Sequence, residues 1–372
     1  MRPNNPFLIA GYHSPYYFCD REYETTSLVE ALHNGRNVTL IAPRRIGKTG
    51  LIQHVFYKQQ ELDMNVVTAY MDIYSTQNLN DFVRLFASSI LGRLDTMSTR
   101  TIERIGRFIK SCRPTLTFDE LTGTPKVSIE IAPQSEKATL QEIFEYIRSS
   151  EKQYYIAIDE FQQIAEYPEK GIEALLRSYI QFVPNAHFIF AGSKQHVMQE
   201  MFLSAKRPFY QSTQLMSIDR IDSDAYYRFA SAHFAERGMV LPRFVFEDIY
   251  HRFDGHTWYI QHILNRLYSY ASDIDKSKVV CAIEEIVTES AYAYESLMKA
   301  YSSGSVRLLK AIAHEGCVKE ITSGRFIATY QLRAASSVKT SINKLIDNEL
   351  VYLTEKGYII YDRFMNEWLK RL

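Results

Sequence analysis

Residues Leu40–Ile52 read LIAPRRIGKTGLI, and the reading of this stretch decides the fold. It differs at one position from the phosphate-binding pattern G-x-x-x-x-G-K-[ST], with Ala42 where the first glycine stands. Such a loop works through consecutive backbone N–H groups and the N-terminus of the helix that follows, so its first position needs geometry more than a particular side chain. Ala42 therefore leaves the motif intact. Gly47 lets the backbone approach closely, Lys48 reaches the β- and γ-phosphates, and Thr49 offers its hydroxyl to a metal. Pro43, Arg44, Arg45, Ile46 and Gly50 complete the candidate nucleotide-binding loop.

The flanking sequence supplies the strand and helix that this motif requires. Asn37–Ile41 (NVTLI) reads as a strand, and GLIQHVFYKQQ has helical periodicity. Upstream, FCDREYETTSLVEAL reads as a helix capped by Asp20, with Tyr23, Leu28 and Leu32 as its buried stripe. Met64–Ile73 predicts a second strand and Leu79–Leu94 an amphipathic helix, so the alternation is that of a parallel α/β sheet. Arg113–Ile131, with TGTP between two alternating runs, predicts an inserted β-hairpin at about 113–133. Thr139–Ser149 is helical, and YYIAI (154–158) and HFIFA (187–191) are apolar strands of the buried type.

Each of these two strands ends on polar residues. Asp159 stands at a strand's carboxyl end, where open α/β sheets bind ligands, and its carboxylate suits a magnesium ion held through water. Glu160 beside it is placed to orient or deprotonate a water attacking a γ-phosphate; the plain alternative is a solvated acidic strand end. Ser193, after the next strand, offers a hydroxyl to the γ-phosphate or the attacking water, or serves as an ordinary turn residue.

From about Asp222 the strand signals stop and a small helical domain begins. Its aromatic residues (Tyr226, Tyr227, Phe229, Phe234, Trp258, Tyr259) read as helix core rather than a base-stacking platform. The last 70 or so residues then read helix (Ser305–His314), helix (Gly324–Leu332), helix (Ser336–Ile346) and a hairpin, Leu350–Tyr361, around a Lys-Gly turn. That order is a winged helix. In its third helix Val338, Ile342, Leu345 and Ile346 share one face. Ser337, Lys339, Thr340, Asn343 and Lys344 form the opposite face, suited to phosphates and base edges of double-stranded DNA. Between Glu295 and Leu372 there are 12 basic and 8 acidic residues. Protein docking is the alternative use of such a module.

Composition narrows the function classes. The chain has 372 residues, 46% of them hydrophobic, which suits more than one core. Its 43 basic and 43 acidic residues cancel, so any contact with a polyanion must be local. Cys19, Cys112, Cys281 and Cys317 lie far apart without zinc-ligand spacing, which predicts a reduced, cytoplasmic protein. The N-terminus lacks the pattern of a secretory signal, and no apolar run reaches membrane-spanning length.

Taken together, FCDREYE, APRRIGKT, YYIAIDEFQQIAEYPEK, HFIFAGSKQHVMQEMF, KRPFYQSTQLM, FDGHTWYIQ and the terminal YDRFMNEWL resemble the archaeal-type P-loop ATPases. These are STAND-class relatives of AAA+ proteins, in the version common in Bacteroidetes. The resemblance covers most of the chain. It implies an α/β P-loop NTPase core over residues 1–215, a helical lid over 216–290 and a winged helix over 291–372. It further implies ATP with Mg²⁺ as ligand, Lys48 and Thr49 as phosphate and metal residues, Asp159 as metal carboxylate, Glu160 as base and Ser193 as sensor. Asp20 and Arg21 would lie near the adenine edge.

Many relatives carry Gly-Arg after Pro-Leu-Tyr, whereas this chain reads Pro208-Phe209-Tyr210-Gln211. Arg207, or an arginine from a second copy or a protein partner, is then the candidate transition-state cation. The lid turn GHTWYIQ also lacks an arginine. Both departures predict slow turnover. Two functional readings follow: a slow ATP-hydrolysing switch coupled to lid and winged helix, or a non-hydrolysing, nucleotide-bound DNA regulator or docking adaptor.

Overall fold

The structure, a computed structural model, describes residues 3–91, 110–118, 125–132 and 134–372, with backbone alone over 112–118 and 125–129. The end of the Leu79–Leu94 helix, the turn residues 122–124 and the insertion's last position, 133, lie outside the described residues. The chain forms two compact units. One is Ala10–Asp222; the other is Ser223–Leu372 together with the N-terminal residues up to Ile9.

The first unit holds strands β1 (Val38–Ile41), β2 (Val66–Asp72), β3 (Cys112–Phe118), β4 (Pro125–Ile131), β5 (Gln153–Asp159), β6 (Ala186–Gly192) and β7 (Gln214–Ser217). Five of them make one sheet in the order β2-β5-β6-β1-β7, parallel throughout. Strand alternation divides their side chains between two apolar layers. Tyr154, Ile156, Ile158, Phe188 and Phe190 pack with the helices Leu79–Leu91 and Glu136–Arg148 on one face. Tyr155, Ala157, Ile189 and Ala191 pack with Glu22–His33 and Lys48–Leu62 on the other. A strand buried on both faces reads as the continuous apolar run seen in YYIAI.

This topology positions the site. Ile41 pairs with Gly192 and Asp72 with Asp159, so the carboxyl ends of β1, β6, β5 and β2 lie along one edge of the sheet. β3 and β4 form the expected antiparallel hairpin, from Cys112 opposite Ile131 to Phe118 opposite Pro125.

Two expectations are corrected in this unit, and one strand is added. Asp20 does not cap the first helix: Asp20 and Arg21 both have positive φ, and the helix Glu22–His33 starts after Arg21 without a side-chain cap. Tyr23 is 80% exposed rather than in the buried stripe. β7, which the sequence reading left unassigned, adds to the sheet beside β1.

The second unit is helical up to its terminal winged helix. Tyr226, Phe234 and Tyr259 are fully buried, as helix core. Phe7 joins them, its ring against Phe229, His233, Phe234 and Tyr268, and Asn265 donates to Phe7 O at 2.7 Å. One long helix, Lys276–Met298, runs through the point where the sequence reading divided lid from winged helix. After it come Ser303–Glu315, Gly324–Thr329, Ala335–Asp347, strands β8 (Val351–Thr354) and β9 (Gly357–Ile360), and a closing helix, Arg363–Leu369. The wing turn is Glu355-Lys356, one residue before the expected Lys-Gly. Gly357 itself pairs in β9 with φ 139, where an added Cβ would come within 2.5 Å of Val318 O. Among the described residues no helix is long and apolar enough to cross a membrane.

Candidate nucleotide site

β1 ends at Ile41 and the loop that follows turns through two left-handed residues, Arg45 (φ 68) and Gly47 (φ 105). A Cβ on Gly47 would touch no protein atom within 4 Å, so the requirement for glycine there is the backbone angle itself. Lys48 then opens a 15-residue helix whose N-terminus faces the loop. Ala42 and Ile46 are buried in the apolar layer beneath. Buried Arg21 braces the loop by donating to Ile46 O at 3.3 Å while pairing with Glu24 at 2.7 Å. A Cβ added at Gly50 would sit 3.5 Å from the Phe18 ring, an ordinary contact.

Two carboxylates meet this loop. Lys48 Nζ lies 3.1 Å from Asp159 Oδ1 and 3.5 Å from Glu160 Oε1; a lysine only 7% exposed needs such partners. The Thr49 hydroxyl donates to Asp159 Oδ2 at 2.8 Å, and the Tyr70 hydroxyl donates to the same oxygen at 3.0 Å. Burial pushes the Asp159 carboxyl up, but Lys48, Thr49 and Tyr70 together hold it below its usual value. It therefore stays ionised, as a cation ligand must.

Glu160 follows the strand in a left-handed conformation, φ 54 and ψ 39, before the 3₁₀ turn Phe161–Glu166. A non-glycine residue held there costs roughly 1–3 kcal/mol, and such strain gathers at functional sites. Its second oxygen accepts from Ser193 Oγ at 2.8 Å and from the buried amide of Gln162. Arg44 Nε in turn donates to Ser193 Oγ at 3.2 Å. Lys48, Thr49, Asp159, Glu160, Ser193 and Arg44 thus form one connected cluster.

Arg207 does not join it. Its guanidinium pairs with Glu173 at 2.6 Å and Glu200 at 3.6 Å, on the helices Ile172–Ile180 and Gln195–Leu203. Asp20 instead hydrogen-bonds with Glu22, which raises its pKa, with burial adding to the effect. Tyr70, Gln162 and Gly192 escaped sequence reasoning, although Gln162 stands two residues after the Asp-Glu pair. Gly192 is tightly enclosed: an added Cβ would come within 2.3 Å of Gln162 Oε1 and 2.6 Å of Met198. In the second unit Ser337, Lys339, Thr340, Asn343 and Lys344 are all exposed, while Val338, Ile342 and Leu345 are buried and Ile346 is partly so.

A parallel sheet with a kinked phosphate loop on one strand, facing a carboxylate pair two strands away, defines a P-loop nucleotide hydrolase. The family model described as an ATPase domain predominantly from Archaea matches residues 18–263, more than half the chain. The protein belongs to that family and is a nucleotide-binding ATPase. A probable winged helix domain matches residues 292–371.

Solved structures with the same fold include a Walker-type ATPase of Pyrococcus abyssi, at 18% identity and TM-score 0.65, covering 99% of this chain and 100% of that one. The Aeropyrum pernix ORC2 protein, solved as ADPNP–ADP complexes, gives 16% identity and TM-score 0.62 over 98% and 95%. The Aeropyrum pernix ORC1 protein in complex with DNA gives 12% and 0.55 over 98% and 96%. At these identities the likeness speaks for the fold alone. No curated protein sequence matches the chain.

Proposed function

We propose that the protein is a magnesium-dependent ATP-hydrolysing switch whose nucleotide state is read out by its helical lid and winged helix. The observation that carries this reading is the single cluster joining phosphate-loop Lys48 and Thr49 to Asp159, Glu160 and Ser193.

The donors suit magnesium. A hydroxyl and an ionised carboxylate, 2.8 Å apart, are hard oxygen ligands, and this ion keeps most of its waters while taking only one or two protein oxygens. When bound, it would neutralise β- and γ-phosphate oxygens. Lys48 exchanges its carboxylate partners for those phosphates. Glu160, held by Ser193 and Gln162, takes a proton from a water as the water oxygen bonds to the γ-phosphorus. The bond from that phosphorus to the β–γ bridging oxygen breaks, and ADP and phosphate leave.

The exposed polar face of Ala335–Asp347 supports double-stranded DNA as the winged helix's partner. The ORC1 protein of the same fold, solved with DNA, points the same way. Steady-state turnover with magnesium and with a chelator tests the enzymatic part. Wild type is expected to hydrolyse ATP only with the metal, and Lys48→Ala is expected to lose both binding and turnover. Nucleotide retained through repeated assays without turnover would instead favour a non-hydrolysing regulator.

A further inference from the structure

We propose that Arg44 is the transition-state cation of this ATPase, supplied by the phosphate loop of the same chain. The inference rests on the hydrolytic reading above. The Arg44 guanidinium donates through Nε to Ser193 Oγ at 3.2 Å, and Ser193 donates to Glu160 Oε2 at 2.8 Å. Its Cζ also lies 5.9 Å from the centre of the Tyr74 ring. Ser193 follows β6 and Tyr74 follows β2, and between those strands in the sheet stands β5, which delivers Asp159 and Glu160. A side chain rooted on the β1 loop thus reaches across the edge where the base stands.

The attacking water must touch Glu160 and lie in line with the γ-phosphorus, so a cation one hydroxyl from that carboxylate borders the transferring group. The loose transition state spreads charge over the equatorial oxygens of the transferring phosphoryl group, and a preorganised guanidinium beside them stabilises it. Lys48 serves the loop side and Arg44 the side of the water. Arg207 is engaged by Glu173 and Glu200, and the residue after Tyr210 is Gln211, not an arginine. With Arg44 in this role, no second subunit has to complete the site.

The test compares wild type, Arg44→Ala and Lys48→Ala in ATP turnover, and in affinity for ADP with and without aluminium fluoride, a mimic of the transferring phosphoryl group. Arg44→Ala is expected to lose on the order of 10³-fold in turnover and at least about 10²-fold in affinity for ADP–aluminium fluoride. Its ADP affinity should stay near wild type, which also reports that the variant is folded. An equal mixture of Arg44→Ala and Lys48→Ala should stay inactive. Wild-type affinity of Arg44→Ala for the mimic, or recovery of activity in the mixture, overturns the proposal while leaving the ATPase reading intact. A wild type without metal-dependent turnover and without tighter ADP binding in aluminium fluoride overturns both.

Discussion

His54, in the helix Lys48–Leu62, stacks on Phe18 with ring centres 4.2 Å apart, and its Nδ1 lies 2.9 Å from the Tyr12 hydroxyl. Burial, with Lys58 adding its charge, pushes the imidazole from 6.5 down to about 4. Between those values the unfolded chain binds more protons than the folded one, so stability falls as pH drops through the window. Denaturant unfolding at steps from pH 7 to pH 4 should show that loss in wild type and a smaller one in His54→Gln; parallel curves would contradict it. The depressed Asp159 carboxyl acts in the same direction, its contribution fading as pH falls from the ordinary carboxylate value toward its lowered one. Lys48, Thr49, Asp159 and Glu160 were legible in the sequence because local spacing and strand ends place them. Tyr70 and Gln162 were not, because what they do depends on which strand or turn folds against them. Asp20 misled because its type suits a cap while its backbone takes the left-handed region.

The end of β6 decides how tightly the site is assembled. Gly192 leaves no room for a methyl group beside Gln162 and Met198, so Gly192→Ala must displace the amide that bonds Glu160. A loss of about 1–3 kcal/mol is expected, as for other overpacked cores, read from the denaturant midpoint, together with slower turnover. An unchanged midpoint with full turnover would show that the neighbours yield freely. β5 and β6 were readable as unbroken apolar runs, whereas β7 is four residues long and at best half-buried, too short and too polar to carry a pattern. In the winged helix, Val338, Ile342 and Leu345 follow helical spacing onto the buried face. That leaves Lys339 and Lys344 on the exposed one. For a DNA-contacting face, substituting either lysine by alanine should reduce the salt slope of duplex binding by about 1. Affinity indifferent to both substitutions and to salt would remove DNA from this face.

At the scale of the whole molecule, charge says little, since acidic and basic residues balance, and the proposed switch draws on two local constructions. One is the phosphate-loop edge of the parallel sheet in Ala10–Asp222; the other is the helical unit and winged helix of Ser223–Leu372. The parallel sheet and the winged helix were foreseeable from element order. The docking of Phe7 among the helical unit's aromatics was not, because the short apolar run Phe7-Leu8-Ile9 is too brief to carry a periodicity. In the proposed mechanism Glu160 performs the hydrolytic step at a site that binds ATP without it. The most direct measurement is the fate of bound ATP in wild type and Glu160→Gln, mixed with nucleotide and magnesium and quenched over time. Wild type should convert bound ATP to ADP, while Glu160→Gln should bind ATP comparably and hold it intact. Conversion at the wild-type rate by Glu160→Gln would rule out Glu160 as the base.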